Sequence, residues 1–199
     1  MALPATAATV DVIAQERHGI GVGLRSGAIA ADGDDRPWVL YSSSDVLPLE
    51  AWIATPGEDG GWRREPLRGA IAGPDLGAWG LTLPGGLVFG ETGALFVAIT
   101  LIRPESLEDS AIWGHPSSEV ALLRRERGAA AFTFELISPP DPARAHWLPS
   151  IERPTGHHPV SVPTLLYTGG PRGADNSDRL SNRVLWVDPS GGRGRETED

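Results

Sequence analysis

Residues 29–42, IAADGDDRPWVLYS, align without a gap on residues 87–100, LVFGETGALFVAIT, at an offset of 58. Each copy reads as a short strand, a Gly/Asp-rich turn and a strand of β-branched and aromatic residues, which is the signature of a β-hairpin. A looser third copy, LPSIERPTGHHPVSVPTLLYT (148–168), ends on Leu166-Tyr167-Thr168 where the first ends on Leu40-Tyr41-Ser42. A further strand follows each hairpin: EAWIAT (50–55), EVALLR (119–124) and RVLWVD (183–188). A fourth follows the first two: GWRREPL (61–67) and AFTFELI (131–137). Self-similarity of this kind constrains the fold more than any single segment does, because each copy must be the same supersecondary unit.

Four antiparallel strands repeated at roughly 50 residues describe a β-propeller blade, an apolar sheet that is stable only when stacked on its neighbours. The fold class expected is therefore all-β, a partial propeller with blades at about 27–68, 85–138 and 148–188 and a disordered tail at 189–199. The spacing exceeds 50 because of two loops, 103–118 and 138–160. A two-sheet sandwich is the main competitor. Glycine (25) and proline (18) recur often enough to break most helical windows. The most apolar stretch, 81–102, contains Pro84, Glu91 and four glycines and reads as a pair of strands, not a membrane span. Three blades do not close a ring of about 4–8. Either the first 28 residues hide a degenerate blade, or the chain is the C-terminal part of a larger propeller, or copies self-associate; the second is preferred. The fourth strand of the last blade is expected from 10–14 or 20–24.

The net charge of −9 and 17 basic residues that are all arginine, with no basic run, argue against nucleic acid as a partner. The absence of cysteine excludes disulfides and thiolate chemistry. No signal-peptide pattern opens the chain, so a cytoplasmic location is expected if Met1 is the true start and a secreted one if it is not. DGDD (32–35) reads as a turn and not a calcium loop. No phosphate loop is possible without lysine. No metal or cofactor is expected.

The polar loops offer the chemistry. His157 and His158 are neighbours in an extended segment before Pro159, so they point to opposite faces. They make a poor metal pair, but one could act as a general acid or base, since imidazole titrates near ~6.5. A loop histidine bonded to a carbonyl is the structural alternative. Arg153 offers a planar fork that matches a carboxylate, and Arg172 could share that task. Glu152 reads as a surface ion-pair partner. Trp113, beside His115, and Trp147 are candidate platforms for sugar rings, with His115 a further substrate contact. The other tryptophans, Trp38, Trp52, Trp62, Trp79 and Trp186, are expected to pack between blades. Tyr167 occupies the place of Tyr41, which favours a core role, with catalysis as the alternative.

SSEVALLRRERGAAAFTFELIS, through Glu126, Gly128, Thr133 and Phe134, and TPGEDGGWRREPL, through Asp59, Gly61 and Trp62, each approximate an Asp-box turn. On these residues and the blade texture of 27–188 the chain resembles the BNR (Asp-box) repeat proteins of the sialidase-like propeller superfamily. The resemblance implies a carbohydrate ligand, an active site on the central axis, and sialidase-like hydrolysis or polysaccharide lyase activity on acidic glycans. It implies a catalytic role for Tyr167, as nucleophile in a sialidase or base in a lyase, with a histidine moving protons. A non-catalytic propeller that binds a glycan or a protein, and a fragment without independent activity, remain alternatives.

Overall fold

A computed structural model describes residues 13–14, 24–43, 47–73, 75–103, 114–139, 141–152, 161–173 and 181–190. Segments 10–12, 20–23 and 191–199, which carry parts of the expected closing strand and tail, lie outside these residues.

Eleven strands form three antiparallel sheets among the described residues. The first contains β1 (Arg25–Ala31), β2 (Pro37–Ser43), β3 (Glu50–Pro56) and β4 (Trp62–Pro66) in that order. A one-turn helix, α1 (Leu67–Ala70), leads to β5 (Gly80–Phe89), β6 (Leu95–Ile102), β7 (Glu119–Arg125) and β8 (Thr133–Leu136), again in sequential order. The last sheet has three strands: β9 (Arg144–Ile151), β10 (Leu165–Pro171) and β11 (Arg183–Val187). The fold is nearly all-β, three up-and-down sheets stacked as consecutive blades of a partial propeller. The inner strands β1, β5 and β9 lie against one another. Both Asp-box-like stretches fall between the third and fourth strands of a blade. In the first, the Asp59 carboxylate accepts the Gly61 N–H at 3.0 Å.

The expected hairpin repeat is preserved to the residue. Ile29 pairs with Val39 and Ala30 with Trp38; Leu87 pairs with Val97 and Val88 with Phe96. The corresponding pair in the third sheet is Ile151 with Leu165. Because side chains alternate across a strand, equivalent residues face equivalent neighbours. Leu40, Ala51 and Ile53 of the first sheet pack against Leu87, Leu95, Val97 and Ile99 of the second. Phe96, Ala98 and Leu122, on the second sheet's other side, pack against Ile151 and Leu165 of the third. The middle sheet is thus covered twice, and β6 is buried along its whole length.

The inner strands share a device the composition does not announce. In β5 the ladder skips from Thr82 to Gly86, and in β9 it is irregular opposite Leu166/Thr168. Each bulge holds a Leu-Pro step, Leu83-Pro84 and Leu148-Pro149, whose leucine has positive φ (40° and 52°). A bulge twists and re-aims a strand, and here it lets neighbouring inner strands approach closely. A Cβ added to Gly85 would land on the Pro149 carbonyl, and one added to Gly86 on the Ile151 side chain. Gly85→Ala should therefore lower stability by about 1–3 kcal/mol through overpacking. Gly33→Ala, where nothing lies within 4 Å of the added atom, should stay within about 0.5 kcal/mol of the parent. Parallel urea melts check both.

Candidate functional site

At one end of the arc, the β6–β7, β8–β9 and β10–β11 connections leave their strands together. Backbone bonds tie them: Gly173 N–H donates to Gly114 O at 2.9 Å, His146 N–H to Ser118 O at 2.9 Å, and Arg172 N–H to Ala143 O at 3.2 Å. The α1–β5 connection reaches the same end, since β5 begins there beside Ile102.

Glu119, the first residue of β7, is the hub of this end. Its Oε2 accepts the Ser138 hydroxyl at 2.6 Å and faces His146 Nδ1 at 3.0 Å. Its Oε1 lies 3.5 Å from the Arg172 guanidinium. A carboxylate accepts only, so His146 donates from Nδ1. Ser138 Oγ in turn accepts the Val120 N–H at 3.0 Å. Arg172 also donates to the carbonyls of Pro142 and Asp141. The edge of Tyr167 meets the His146 ring, with centroids 5.5 Å apart at 83°. His146 and Tyr167 are both buried. Glu119, Ser138, His146 and Arg172 are each bonded or paired within this cluster, which locks four strand ends to one another.

Beside it the rim is more open. Arg103, exposed at the end of β6, stacks its guanidinium 4.9 Å from the ring centre of half-buried Trp79. Its backbone N–H donates to Ser117 Oγ at 2.7 Å, and Ser117 N–H donates to His115 Nδ1 at 3.1 Å. His115 Nδ1 is therefore an acceptor, which puts the proton of the neutral ring on Nε2. Arg103 has no carboxylate partner among the described residues. Arg68 and Arg144 flank the same end: Arg68 donates to the carbonyls of Gly77 and Trp79, and Arg144 lies 3.9 Å from Asp141. Glu50, near Arg68, has its pKa raised by burial, against N–H donation from Arg68 and Ala51 and the Arg68 charge.

The sequence candidates divide. His115 and Arg172 come to this end, His115 buried in the loop base and Arg172 half-buried against Glu119. Trp147 does not serve as a platform here. It is wholly buried among Leu49, Leu83, Ile102 and Ala145, so it shows no face to a ligand. Tyr167 packs toward the middle sheet, in the place Tyr41 takes in the first. Trp113, Arg153, His157 and His158 lie outside the described residues. The strand ends that flank 153–160, Ile151 and Leu165, are paired at the end of the sheet opposite Arg172 and Arg144. Eight residues of β9 put about 25 Å between those ends. Glu152 is engaged locally: its carboxylate accepts the Thr164 N–H and hydroxyl at 3.1 and 2.8 Å, and these bonds lower its pKa. Among the described residues no group of three or more His, Asp or Glu could hold a metal ion, and no helix is long and apolar enough to cross a membrane.

No sequence-family model and no curated protein sequence matches the chain. Among solved structures it is similar to a protein of unknown function from Dyadobacter fermentans DSM 18053 and to an endo-arabinase from Bacteroides thetaiotaomicron VPI-5482, each at 10% identity with a TM-score of 0.48. The matches take in 82% and 88% of this chain but 37% and 57% of those chains, so it spans less than two thirds of either.

Glu119→Ala strands a buried imidazole, a buried hydroxyl and a guanidinium at once. It should cost about 3 kcal/mol, whereas Glu126→Ala, which removes the exposed Arg124–Glu126 pair, should cost at most about 1 kcal/mol. Chemical denaturation of the two variants gives the comparison.

Proposed function

We propose that the protein is a carbohydrate-binding propeller module that takes an acidic saccharide at the end of the arc where Arg103, Trp79 and His115 meet. One observation carries this reading: in a chain of net charge −9, an exposed guanidinium without a carboxylate partner among the described residues lies over an indole, 4.9 Å from the ring centre. An arginine fork matches a carboxylate in two parallel hydrogen bonds, and the indole beneath it helps to hold the guanidinium in place. The Glu119 cluster supports the reading indirectly. It fixes the loops that carry this rim, and a rim fixed beforehand loses less freedom on binding.

Binding without turnover fits the described residues better than catalysis does. The imidazole and phenol closest to one another, His146 and Tyr167, are both packed inside, and Arg172 is already engaged by Glu119 and two carbonyls. Proton transfer by His157 or His158 would require the segment that carries them to reach this rim.

Titration calorimetry with oligogalacturonates and sialosides against neutral oligosaccharides tests the proposal. Acidic sugars should bind and neutral ones should not. Arg103→Ala should weaken binding by tenfold or more, the ~1.5–3 kcal/mol of a hydrogen bond to a charged group. Arg103→Lys should fall between, because it keeps the charge and loses the fork. Equal binding of neutral sugars, or an indifferent Arg103→Ala, would sink the proposal. Formation of an unsaturated or reducing-end product that the His157→Ala/His158→Ala variant abolishes would move the protein to the enzymes.

A further inference from the structure

Arg68, Arg103, Arg144 and Arg172 flank the rim, and they divide by what their guanidiniums already hold. Arg68 donates to the carbonyls of Gly77 and Trp79 and lies 4.0 Å from Glu50. Arg172 donates to the carbonyls of Pro142 and Asp141 and faces Glu119. Both of these forks are spent. Arg103 lies over Trp79 and has no carboxylate partner among the described residues. Arg144, with 32% of its side chain exposed, has only the Asp141 carboxylate, at 3.9 Å, which is beyond hydrogen-bond length. That carboxylate is engaged in its own loop, where it accepts the Ala143 N–H at 2.8 Å. Arg103 and Arg144 therefore keep their donors for something else.

The backbone sets these two arginines near one another but turns them apart. Arg103 N–H donates to Ser117 Oγ at 2.7 Å. His146 N–H donates to the carbonyl of the next residue, Ser118, at 2.9 Å. Arg144 stands two residues before His146, about 7 Å nearer the start of β9. The uncharged Ser117-Ser118 step thus separates them. The Arg103 guanidinium lies on the side of Trp79, which packs against the core between the first and second sheets. The Arg144 guanidinium lies on the side of Asp141, whose carbonyl Arg172 ties to the third sheet. Forks that lean over different sheet junctions do not share one carboxylate. We infer that Arg144 is a second carboxylate-binding residue of the rim, and that the ligand is an oligomeric saccharide with acid groups on more than one sugar unit. The inference rests on the rim reading proposed above and narrows its ligand. Each fork pairs with one carboxylate through two parallel hydrogen bonds. Once the first acid group is held at Arg103, capture of the second is intramolecular, which multiplies affinity where the span fits.

Titration calorimetry with trigalacturonate, galacturonic acid and sialyllactose tests the inference. Trigalacturonate should bind the parent chain roughly tenfold or more tighter than either ligand with a single acid group. Arg144→Ala should weaken trigalacturonate by roughly tenfold or more and erase that advantage. Arg144→Lys, which keeps the charge and loses the fork, should restore part of it. The Arg144–Asp141 contact is long and partly exposed, so Arg144→Ala should keep the parent melting temperature. An advantage of trigalacturonate that survives Arg144→Ala would overturn the inference, because chain length and not a second carboxylate would then account for it. Galacturonic acid losing as much as trigalacturonate in that variant would overturn it too, since both arginines would then hold one carboxylate. Binding that needs Arg103 but not Arg144 leaves the rim reading standing and defeats this inference alone. If no acidic sugar binds, both fall.

Discussion

A sheet with two apolar faces cannot stand in water; it needs a neighbour on each side. That requirement organises the molecule. The middle sheet meets it in full. The outer two are buried less evenly, as in the mixed burial of β1 and β11. Every other feature acts on how the sheets are held in register.

Two polar clamps do this at opposite ends of the stack. Between the first and second sheets, Arg125 Nη1 donates to both carboxylate oxygens of Glu65 at 2.9 Å, and its guanidinium carbon lies 4.4 Å from the Phe132 ring centre and 5.5 Å from that of Trp38. Between the second and third, Glu119 gathers His146, Ser138 and Arg172. Apolar stacking does not specify how far one sheet slides over the next, whereas hydrogen bonds with fixed partners do. The second clamp also determines where the rim loops begin, which links packing to the surface that could meet a ligand.

The hairpins were legible because residues 29–42 and 87–100 repeat both turn chemistry and alternation, and the structure pairs them in the same register. The start of β5 was harder to see. Leu83-Pro84 looks like a strand end, yet the strand continues to Gly80 through a bulge, and Leu148-Pro149 repeats the step in β9. A Leu-Pro pair recurring on successive inner strands was the available signal. The candidate site was less legible because its contacts join distant parts of the chain: Glu119 meets His146 across 27 residues, and Trp79 lies under Arg103. One hint was present, since Glu119 opens the apolar run VALL and His146 stands between Ala145 and Trp147, and a polar group placed there needs a buried partner. Trp147 illustrates the opposite error. Its neighbourhood in sequence is polar, but strand alternation turns it inward.

Burial of β6 on both sides has a kinetic corollary. Its amides reach solvent only after one flanking sheet has peeled away, so hydrogen exchange should form a gradient, slowest at Phe96–Thr100 and faster toward β1 and β11. The flanks can open separately, each severing one clamp while the other holds. The molecule is better described as a spine with two leaves than as a body that melts in a single step.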